Sequence, residues 1–374
     1  MISKDLFNGI FQNKKVFVTG HTGFQGSWLT LWLKSLGAKV IGYSLPPPTK
    51  PSLFEILQLK QSINHILGDV RDYSFLQKCL IKHKPDIVFH LAAQSLVKLS
   101  YEKPIDTFHT NIMGTVNVLE AIRNTPSVKT GIVISSDKCY ENKEWIFAYR
   151  ENDPLGGFDP YSASKGATEI ITSSYNRSFF HSDSKKRNVG IATVRAGNVI
   201  GGGDWAQDRI IPDCIRSINS GKLIQIRNPK SIRPWQFVLE PISGMLLLAS
   251  KLWKSPYSYN ESWNFGPNLS TNVTVKELVI QIIKEFEQKA KWKDVSKNTK
   301  NIVHEANFLR LDSTKANNLL GWRQAYSIKE TIAETASWYQ NFEKKKEMIK
   351  FTVSQIEKYV EKTKYMNADW IANK

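Results

Sequence analysis

An α/β fold with a doubly wound parallel sheet is expected from three observations. Short β-rich runs alternate with helical patterns through the first two-thirds of the chain, several of the strands are continuously apolar, and the first strand runs into a glycine-rich turn that opens a helix. Continuously apolar strands suit a sheet covered on both faces, because parallel strands need crossovers that pack over them.

Taken in order, residues 15–19 read as a strand, 24–36 as a helix rich in Leu and Trp, and 38–43 as a second strand stopped by Leu45-Pro-Pro-Pro48. Strands follow at 66–69 and 86–91 with a helix near 73–83 between them. A long helix is expected over 104–123, a strand over 131–135, a helix over 161–178 and a last strand over 189–195. After Asn198 the rhythm breaks: Gly201-Gly-Gly203, Pro212, Pro229 and Pro234 punctuate shorter elements, and helical patterns return near 240–254, 274–290 and 327–343. This divides the chain into a sheet domain over 1–197, with a returning segment near 236–260, and a smaller mixed α/β substrate domain over 198–374. The latter ends in a basic amphipathic helix within 344–374 that carries Phe351, Ile356, Tyr359 and Val360.

The 374 residues suffice for one large or two modest domains, and 41% hydrophobic with 23% charged residues excludes a disordered chain. Lys and Arg number 51 against 34 Asp and Glu, a formal charge of +17 that favours anionic partners. The basic residues are spread out, modestly concentrated in 284–300 and 344–364, without an aromatic-interleaved basic patch; a solvated surface or a small anionic ligand accounts for them better than nucleic acid. Cys79, Cys139 and Cys214 lie far apart without metal-ligand spacing, which suggests a reducing compartment and no metal. No signal-like stretch follows Met1 and no apolar run reaches membrane-spanning length, so a cytoplasmic location without membrane contact is expected. The seven histidines form no metal or triad constellation.

Between the first strand and first helix stand Gly20-His-Thr22-Gly23-Phe24-Gln25-Gly26. Glycines at that spacing permit a tight turn, let backbone approach a pyrophosphate and aim a helix N-terminus at negative charge, which predicts a Rossmann-type dinucleotide site; a plain glycine-rich turn is the alternative. The acid expected about 20 residues on is missing, since the second strand ends Gly42-Tyr43-Ser44. Asp69-Val70, at the end of the third strand, are candidates for adenine contacts, and NAD versus NADP stays open on these residues. Tyr161 and Lys165 share one helix face. An ammonium beside a phenol lowers its pKa, so the phenol can take a hydroxyl proton while hydride leaves the same carbon. Ser136 follows the strand at 131–135, in ISSDKCYENK, a stretch that a solvated turn also explains.

With these motifs in this order, the chain resembles the extended branch of the short-chain dehydrogenase/reductase family over nearly its full length. The resemblance implies a Ser136–Tyr161–Lys165 triad, with Ser136 bonding the reacting oxygen. It implies a structural or proton-relay role for Asn111, against a buried, satisfied Asn, and puts Leu91, Ala92 and Ala93 beside the cofactor, with Gln94 and Ser95 meeting cofactor or sugar. It also implies a homodimer, or a dimer of dimers, paired through the helices at 104–123 and 161–178. Asp137-Lys138 resembles the arrangement of nucleotide-sugar 4,6-dehydratases. SSDKCYEN, GHTGFQGSWL, GGGDWAQDRIIPD and RPWQFVLEP are similar to their CDP-glucose branch, whereas the dTDP-glucose branch usually carries Asp-Glu after the triad hydroxyl. What this implies is a lyase of deoxysugar and surface-polysaccharide biosynthesis acting on CDP-glucose. C4 is oxidised, Lys138 removes the C5 proton, Asp137 protonates the departing C6 oxygen, and hydride returns to C6; the redox-neutral cycle implies NAD. Arg209 and Arg233 are candidates for clamping the diphosphate through bidentate forks, Asn198 for the same phosphates, and Trp205 or Trp235 for stacking on the base; solvated or core positions are the alternatives. The rivals are dehydratases of dTDP-, UDP- or GDP-hexoses, a nucleotide-sugar 4-epimerase, which needs no elimination acid and base, and a cofactor-sensing regulator, against which intact Tyr161 and Lys165 argue.

Overall fold

Alternation along each strand decides which layer its side chains join. In β1 (Lys15–Thr19), Val16 and Val18 pack into one core and Phe17 into another, so the sheet carries two hydrophobic layers. In the computed structural model, which describes residues 2–180, 188–269, 273–286, 290–296, 308–366, 368 and 370–371, the further strands are β2 (Lys39–Ser44), β3 (Asn64–Leu67), β4 (Ile87–His90), β5 (Thr130–Ile134), β6 (Gly190–Ala196), β7 (Val199–Ile200), β8 (Ile224–Ile226), β9 (Gln236–Phe237), β10 (Ser262–Phe265) and β11 (Trp292–Asp294). Seven of them form one parallel sheet in the order β10-β6-β5-β4-β1-β2-β3, while β7 pairs with β9 and β8 with β11. This is a Rossmann-type sheet, and its strand order reverses between β1 and β4, the crevice where open α/β sheets receive ligands.

Helix α1 (Phe24–Ser35) buries Trp28, Leu29, Trp32 and Leu33 against one face, together with the helix Leu239–Lys254, and α2 (Tyr73–His83) covers the other, its start capped by Asp72 on the Phe75 N–H at 3.0 Å. The helix expected over 104–123 is α3 (Pro104–Phe108), a π turn (His109–Met113) and α4 (Gly114–Arg123) in succession. Helix α5 (Pro160–Phe179) starts on Asp159, which accepts from the Ser162 N–H at 2.9 Å, followed by Pro160 in the first turn. Then come α6 (Ile210–Asn219), α7 (Leu239–Lys254), α8 (Val275–Glu285), α9 (Ile328–Glu343), begun by a Ser327–Glu330 capping box, and α10 (Met348–Tyr365).

Three expectations change. The third strand starts at Asn64 rather than 66, and α8 ends at Glu285, with 287–289 outside the described residues. Strand β10 lies beyond the expected series and beyond the returning segment at 236–260: Ser262–Phe265 is short and polar at Asn264, and is made a strand by pairing with β6 from Ser262↔Thr193 to Phe265↔Ala196. The basic terminal helix α10 lies against α1: Ile356 and Tyr359 are fully buried, Tyr359 meets Trp32 edge-on at 5.9 Å, and beyond the helix Trp370 stacks on Phe7 at 4.7 Å. Among the described residues no helix is long and apolar enough to cross a membrane, no His, Cys, Asp and Glu side chains group as metal ligands, and the three cysteines are free and buried.

Candidate active site

The glycine-rich turn leads from β1 into α1 and packs against the chain leaving the C-terminal end of β4. Gly20 has φ +75°, and a Cβ there would lie 2.7 Å from the Ala92 nitrogen; one on Gly26 would lie 2.1 Å from the Gly20 carbonyl oxygen. Leu91 N–H donates to the Thr19 carbonyl at 3.2 Å and Ala92 N–H to Thr19 Oγ1 at 3.2 Å, with Ala93 half-buried just beyond. Gly23 begins α1 without a side-chain cap, and Gln25 Oε1 is buried with no partner among the described residues, so the turn keeps polar capacity at a helix N-terminus. Phe24 packs on the core below, and Thr22 Oγ1 bonds Ser44 Oγ at 2.8 Å and the Leu45 carbonyl at 3.0 Å. Tyr43 is buried and its hydroxyl donates to the Asp69 carbonyl at 2.9 Å; the Asp69 carboxylate is gripped by Arg71 at 2.6 and 2.8 Å, and Val70 is buried against Gly114. These residues fit a bound dinucleotide: an open helix N-terminus, an orphaned acceptor and a backbone cradle at the crevice.

Beside that turn, Tyr161 and Lys165 occupy the buried face of α5. Lys165 Nζ donates to the Ile134 carbonyl at 2.9 Å, and burial pushes its ammonium down to about 8, opposed by the nearby Glu169 and Cys139. The Tyr161 phenol is pushed up to about 12 by burial; a hydrogen bond with Ser136 and the charge of Arg209 act downward, and Asp137 and Asp159 act upward. Lys165 is thus engaged with the strand end, and the groups that most favour the phenolate are Ser136 and Arg209, a change from the expected Lys-beside-Tyr effect. Asn111 sits on the π turn, where the irregular backbone frees its carbonyl for Thr115 Oγ1 at 2.6 Å and Thr168 Oγ1 at 3.3 Å. Its amide accepts from Gln94 N–H at 2.8 Å and donates to the Gln94 carbonyl at 3.0 Å and Ser164 Oγ at 2.8 Å. The Gln94 side chain turns back to the Leu96 carbonyl and Thr107 Oγ1, so Asn111 and Gln94 knit the loop after β4 onto α5.

Past β5 the chain enters a one-turn helix, Asp137–Cys139, capped by Ser136. Ser136 Oγ accepts from the Lys138 N–H at 3.2 Å and donates to Asp137 Oδ1 at 3.0 Å. Asp137 is 4% exposed and its Oδ2, which a Cβ on Gly197 would meet at 3.1 Å, has no partner among the described residues. Burial pushes this carboxyl above the usual range, opposed by Lys138, by the Ser136 hydrogen bond and by Arg233. Lys138 is half-buried beside it. Ser136, Asp137, Lys138, Tyr161 and Lys165 therefore share one region at the C-terminal ends of β5 and β6.

The candidate substrate residues divide. Arg209 is not a free cation: it pairs with Asp204 at 2.9 Å and donates to Ser95 Oγ at 3.0 Å, while its charge reaches Tyr161. Arg233 donates to the Ile232 carbonyl at 3.0 Å and lines a groove with Pro234, Pro267, Leu269 and Arg310. A cleft of about 580 Å³ shares Pro267, Asn268 and Leu269 with that groove and extends to Arg323, away from Tyr161. The Asn198 carbonyl accepts from Gln236 N–H at 3.1 Å, tying β7 to β9. Trp205 meets Tyr339 edge-on at 5.2 Å and Phe342 at 5.4 Å, and Trp235 is buried in the core, so hydrophobic packing accounts for both rings.

Sequence reading passed over a buried pair beneath the site. Arg195 Nη2 meets Glu169 Oε2 at 2.8 Å with both side chains almost fully buried. Two signals announced it: Glu169 stands four residues after Lys165 on the same helix, and Arg195 is a cation in the otherwise apolar strand GIATVRA.

Residues 17–335 match the family model described as GDP-mannose 4,6 dehydratase. The chain is 46% identical over 364 residues, covering 97% of this chain and 99% of the relative, to the CDP-glucose 4,6-dehydratase of Salmonella typhimurium. It is 25% identical over 338 residues, 86% of this chain and 92% of the other, to a dTDP-glucose 4,6-dehydratase of Xanthomonas campestris. Among solved structures, the dTDP-glucose 4,6-dehydratase of Streptomyces venezuelae with NAD and TYD bound superposes with a TM-score of 0.73 at 21% identity, over 87% of this chain and 97% of that one. The UDP-glucose 4-epimerase of Thermotoga maritima with UDP-glucose does so with a TM-score of 0.74 at 22% identity, over 88% and 99%.

Proposed function

The chain belongs to the GDP-mannose 4,6-dehydratase family, and from that premise we propose that it converts CDP-D-glucose into CDP-4-keto-6-deoxy-D-glucose and water. The observation that carries this reading is a second proton-transfer group beside the redox phenol: Asp137, buried, with one oxygen bonded to Ser136 and the other without a partner among the described residues. Epimerisation at C4 needs no such group. The nearly full-length likeness to the Salmonella typhimurium enzyme favours cytidine over the other bases.

NAD, held by the turn from Gly20 through Thr22, Gly23, Phe24 and Gln25 to Gly26, by Tyr43, Asp69 and Val70, and by Leu91, Ala92 and Ala93, supplies the hydride acceptor for C4 and the donor for C6 when bound. The protein's own residues manage the protons. At neutral pH the Tyr161 proton is at home on the phenol, and its route out runs through Ser136 to Asp137. One transfer along that route arms both groups: Tyr161 becomes the phenolate that accepts the C4 hydroxyl proton, and Asp137 becomes the neutral acid for the C6 oxygen. Lys138 takes the C5 proton as the C5–C6 double bond forms and the C6–O bond breaks, Asp137 delivers its proton to the leaving water, and Lys138 returns a proton to C5. Tyr161 ends protonated and Asp137 ionised, as they began. Lys165, cationic below about 8, is assigned to hold positive charge at the end of β5, one helical turn from the phenol. Arg233, Arg209, Asn198, Gln94 and Ser95 are assigned to the substrate side, and Trp205 is left to the packing against Tyr339 and Phe342. The exposed apolar residues Ile105, Phe108 and Met113 on α3 and the π turn, with Ile170 on α5, are assigned to a homodimer interface, and the cytoplasm is the assigned location.

The test is direct. Purified chain with NAD is given CDP-, dTDP-, UDP- and GDP-glucose, and products are weighed by mass spectrometry. Loss of one water, fastest with CDP-glucose, is expected; unchanged mass with altered C4 configuration would make the chain an epimerase, and preference for another base would reassign the substrate.

A further inference from the structure

Buried ion pairs seldom stabilise a fold, because the desolvation of both charges rivals their attraction, so a buried pair that leaves valences unused invites a functional explanation. Glu169 and Arg195 are such a pair: their side chains are 2% and 3% exposed, yet among the described residues Glu169 Oε1 and Arg195 Nε have no partner. The pair lies between two parts of the site. At its negative end, Glu169 stands one turn below Lys165 on α5, with Oε2 also accepting from Thr193 Oγ1 at 2.6 Å. At its positive end, Arg195 Nη1 donates to the Tyr140 hydroxyl at 2.8 Å and to the Glu151 carbonyl at 3.0 Å, and the guanidinium lies 4.9 Å from the Tyr140 ring centre. Tyr140 passes its own proton to Asn264 Oδ1 at 2.7 Å, and Asn264 holds the Tyr149 and Asp312 carbonyls. Tyr140 is two residues past Lys138, so the far end of the 136–140 turn is pinned by the same guanidinium.

We propose that the Glu169–Arg195 pair is a positioning device: Glu169 keeps the buried Lys165 charged, and Arg195 both fixes Glu169 and anchors the turn that carries Asp137 and Lys138. The inference rests on the reading of Lys165 as part of the machinery. The ionisable groups around Lys165 support it. From the 136–140 turn comes the Cys139 thiol, pushed up by burial and neutral; from β4 comes His90, pushed down to about 3 by burial and neutral; from α5 itself comes Tyr161, also neutral at pH 7. Among these groups Glu169 is the carboxylate, and the burial of Lys165 gives it a proton to lose without that neighbour. Arg195 is held in its charged form by Glu169 and Tyr140 against burial, so the pair presents its negative end to Lys165.

The experiment follows the Lys165 ammonium itself, by NMR titration of protein labelled with ¹⁵N at lysine Nζ and assigned with Lys165→Met, beside the pH profile of product formation. Glu169→Gln tests the charge; Glu169→Gln/Arg195→Met tests it without leaving a lone buried cation. Both are expected to move the Lys165 titration, and with it the alkaline limb of turnover, down by at least about one pH unit, a tenfold loss of the charged fraction on that limb. Lowered thermal stability with a Lys165 titration unchanged in the folded double variant would make the pair purely structural and overturn the proposal. The titration needs no turnover, so it stays readable if the substrate assignment fails.

Discussion

The two flanks of the site are built on opposite terms. On the α5 flank, Asn111, Gln94, Ser164 and Lys165 use their polar side-chain atoms on one another or on backbone, and a π turn is devoted to this mesh. On the flank that follows β5, Asp137 keeps an oxygen without a partner, Lys138 is half exposed and Arg233 borders an open groove. A satisfied polar network costs little to maintain and holds its members to one geometry; an unsatisfied buried carboxylate costs free energy until a ligand completes it. The first flank is preorganised and the second waits for substrate.

Substitutions can break or sharpen that contrast. The largest effect is expected from Tyr161→Phe, which removes the group both flanks address: hydride transfer from C4 should fall by on the order of 10²–10⁴-fold, read as reduced-cofactor absorbance in a single turnover. Oxidation within a few-fold of wild type would mean that another base serves C4. Next is Lys138→Ala, which touches the open flank alone: C4 oxidation should persist while the yield of 6-deoxy product falls by on the order of 100-fold or more. An undiminished yield would erase the division of labour. The smallest effect is on stability and has the opposite sign. Burial lowers the Lys165 pKa from its ordinary 10.5 to about 8. The stabilisation linked to that depressed value is therefore present above pH 10.5 and lost as pH falls through about 8, below which the buried ammonium is a cost. Lys165→Met, though inactive, should be more stable than wild type at pH 6.5 by up to about 3 kcal/mol, less the lost Ile134 hydrogen bond, with the gain vanishing toward pH 10.5. Urea denaturation at both pH values measures it; a less stable variant at pH 6.5 would mean that the Ile134 contact outweighs the burial cost.

Much of the fold could be read from the chain because its signals are local. The apolar runs of β1 and β4, the proline stop after β2 and the Asp159-Pro160 start of α5 each act within a few residues. Strand β10 escaped because SWNF becomes a strand only beside β6, about 70 residues earlier in the chain. Helix α10 was readable as amphipathic, but its resting place on Trp32 of α1 was not. At the site, Ser136, Asp137, Tyr161 and Lys165 stood out as residue types at strand ends and helix spacings. Arg209 read as a spare cation, and its tie to Ser95 emerges only when the loop after β7 meets the loop after β4.

Sequence alone determined the order of elements, the glycine turn at the head of α1, the Tyr161–Lys165 spacing and the likeness to dehydratases, since each depends on residues close together in the chain. Tertiary structure alone decided in which direction the proton affinity of each group moves. Asp137 is raised and Lys165 lowered by burial, and burial comes from segments distant in the chain, such as Gly197, beside the Asp137 carboxyl. Spacing sets which side chains can meet; the exclusion of water, which no short stretch controls, sets the proton each one holds.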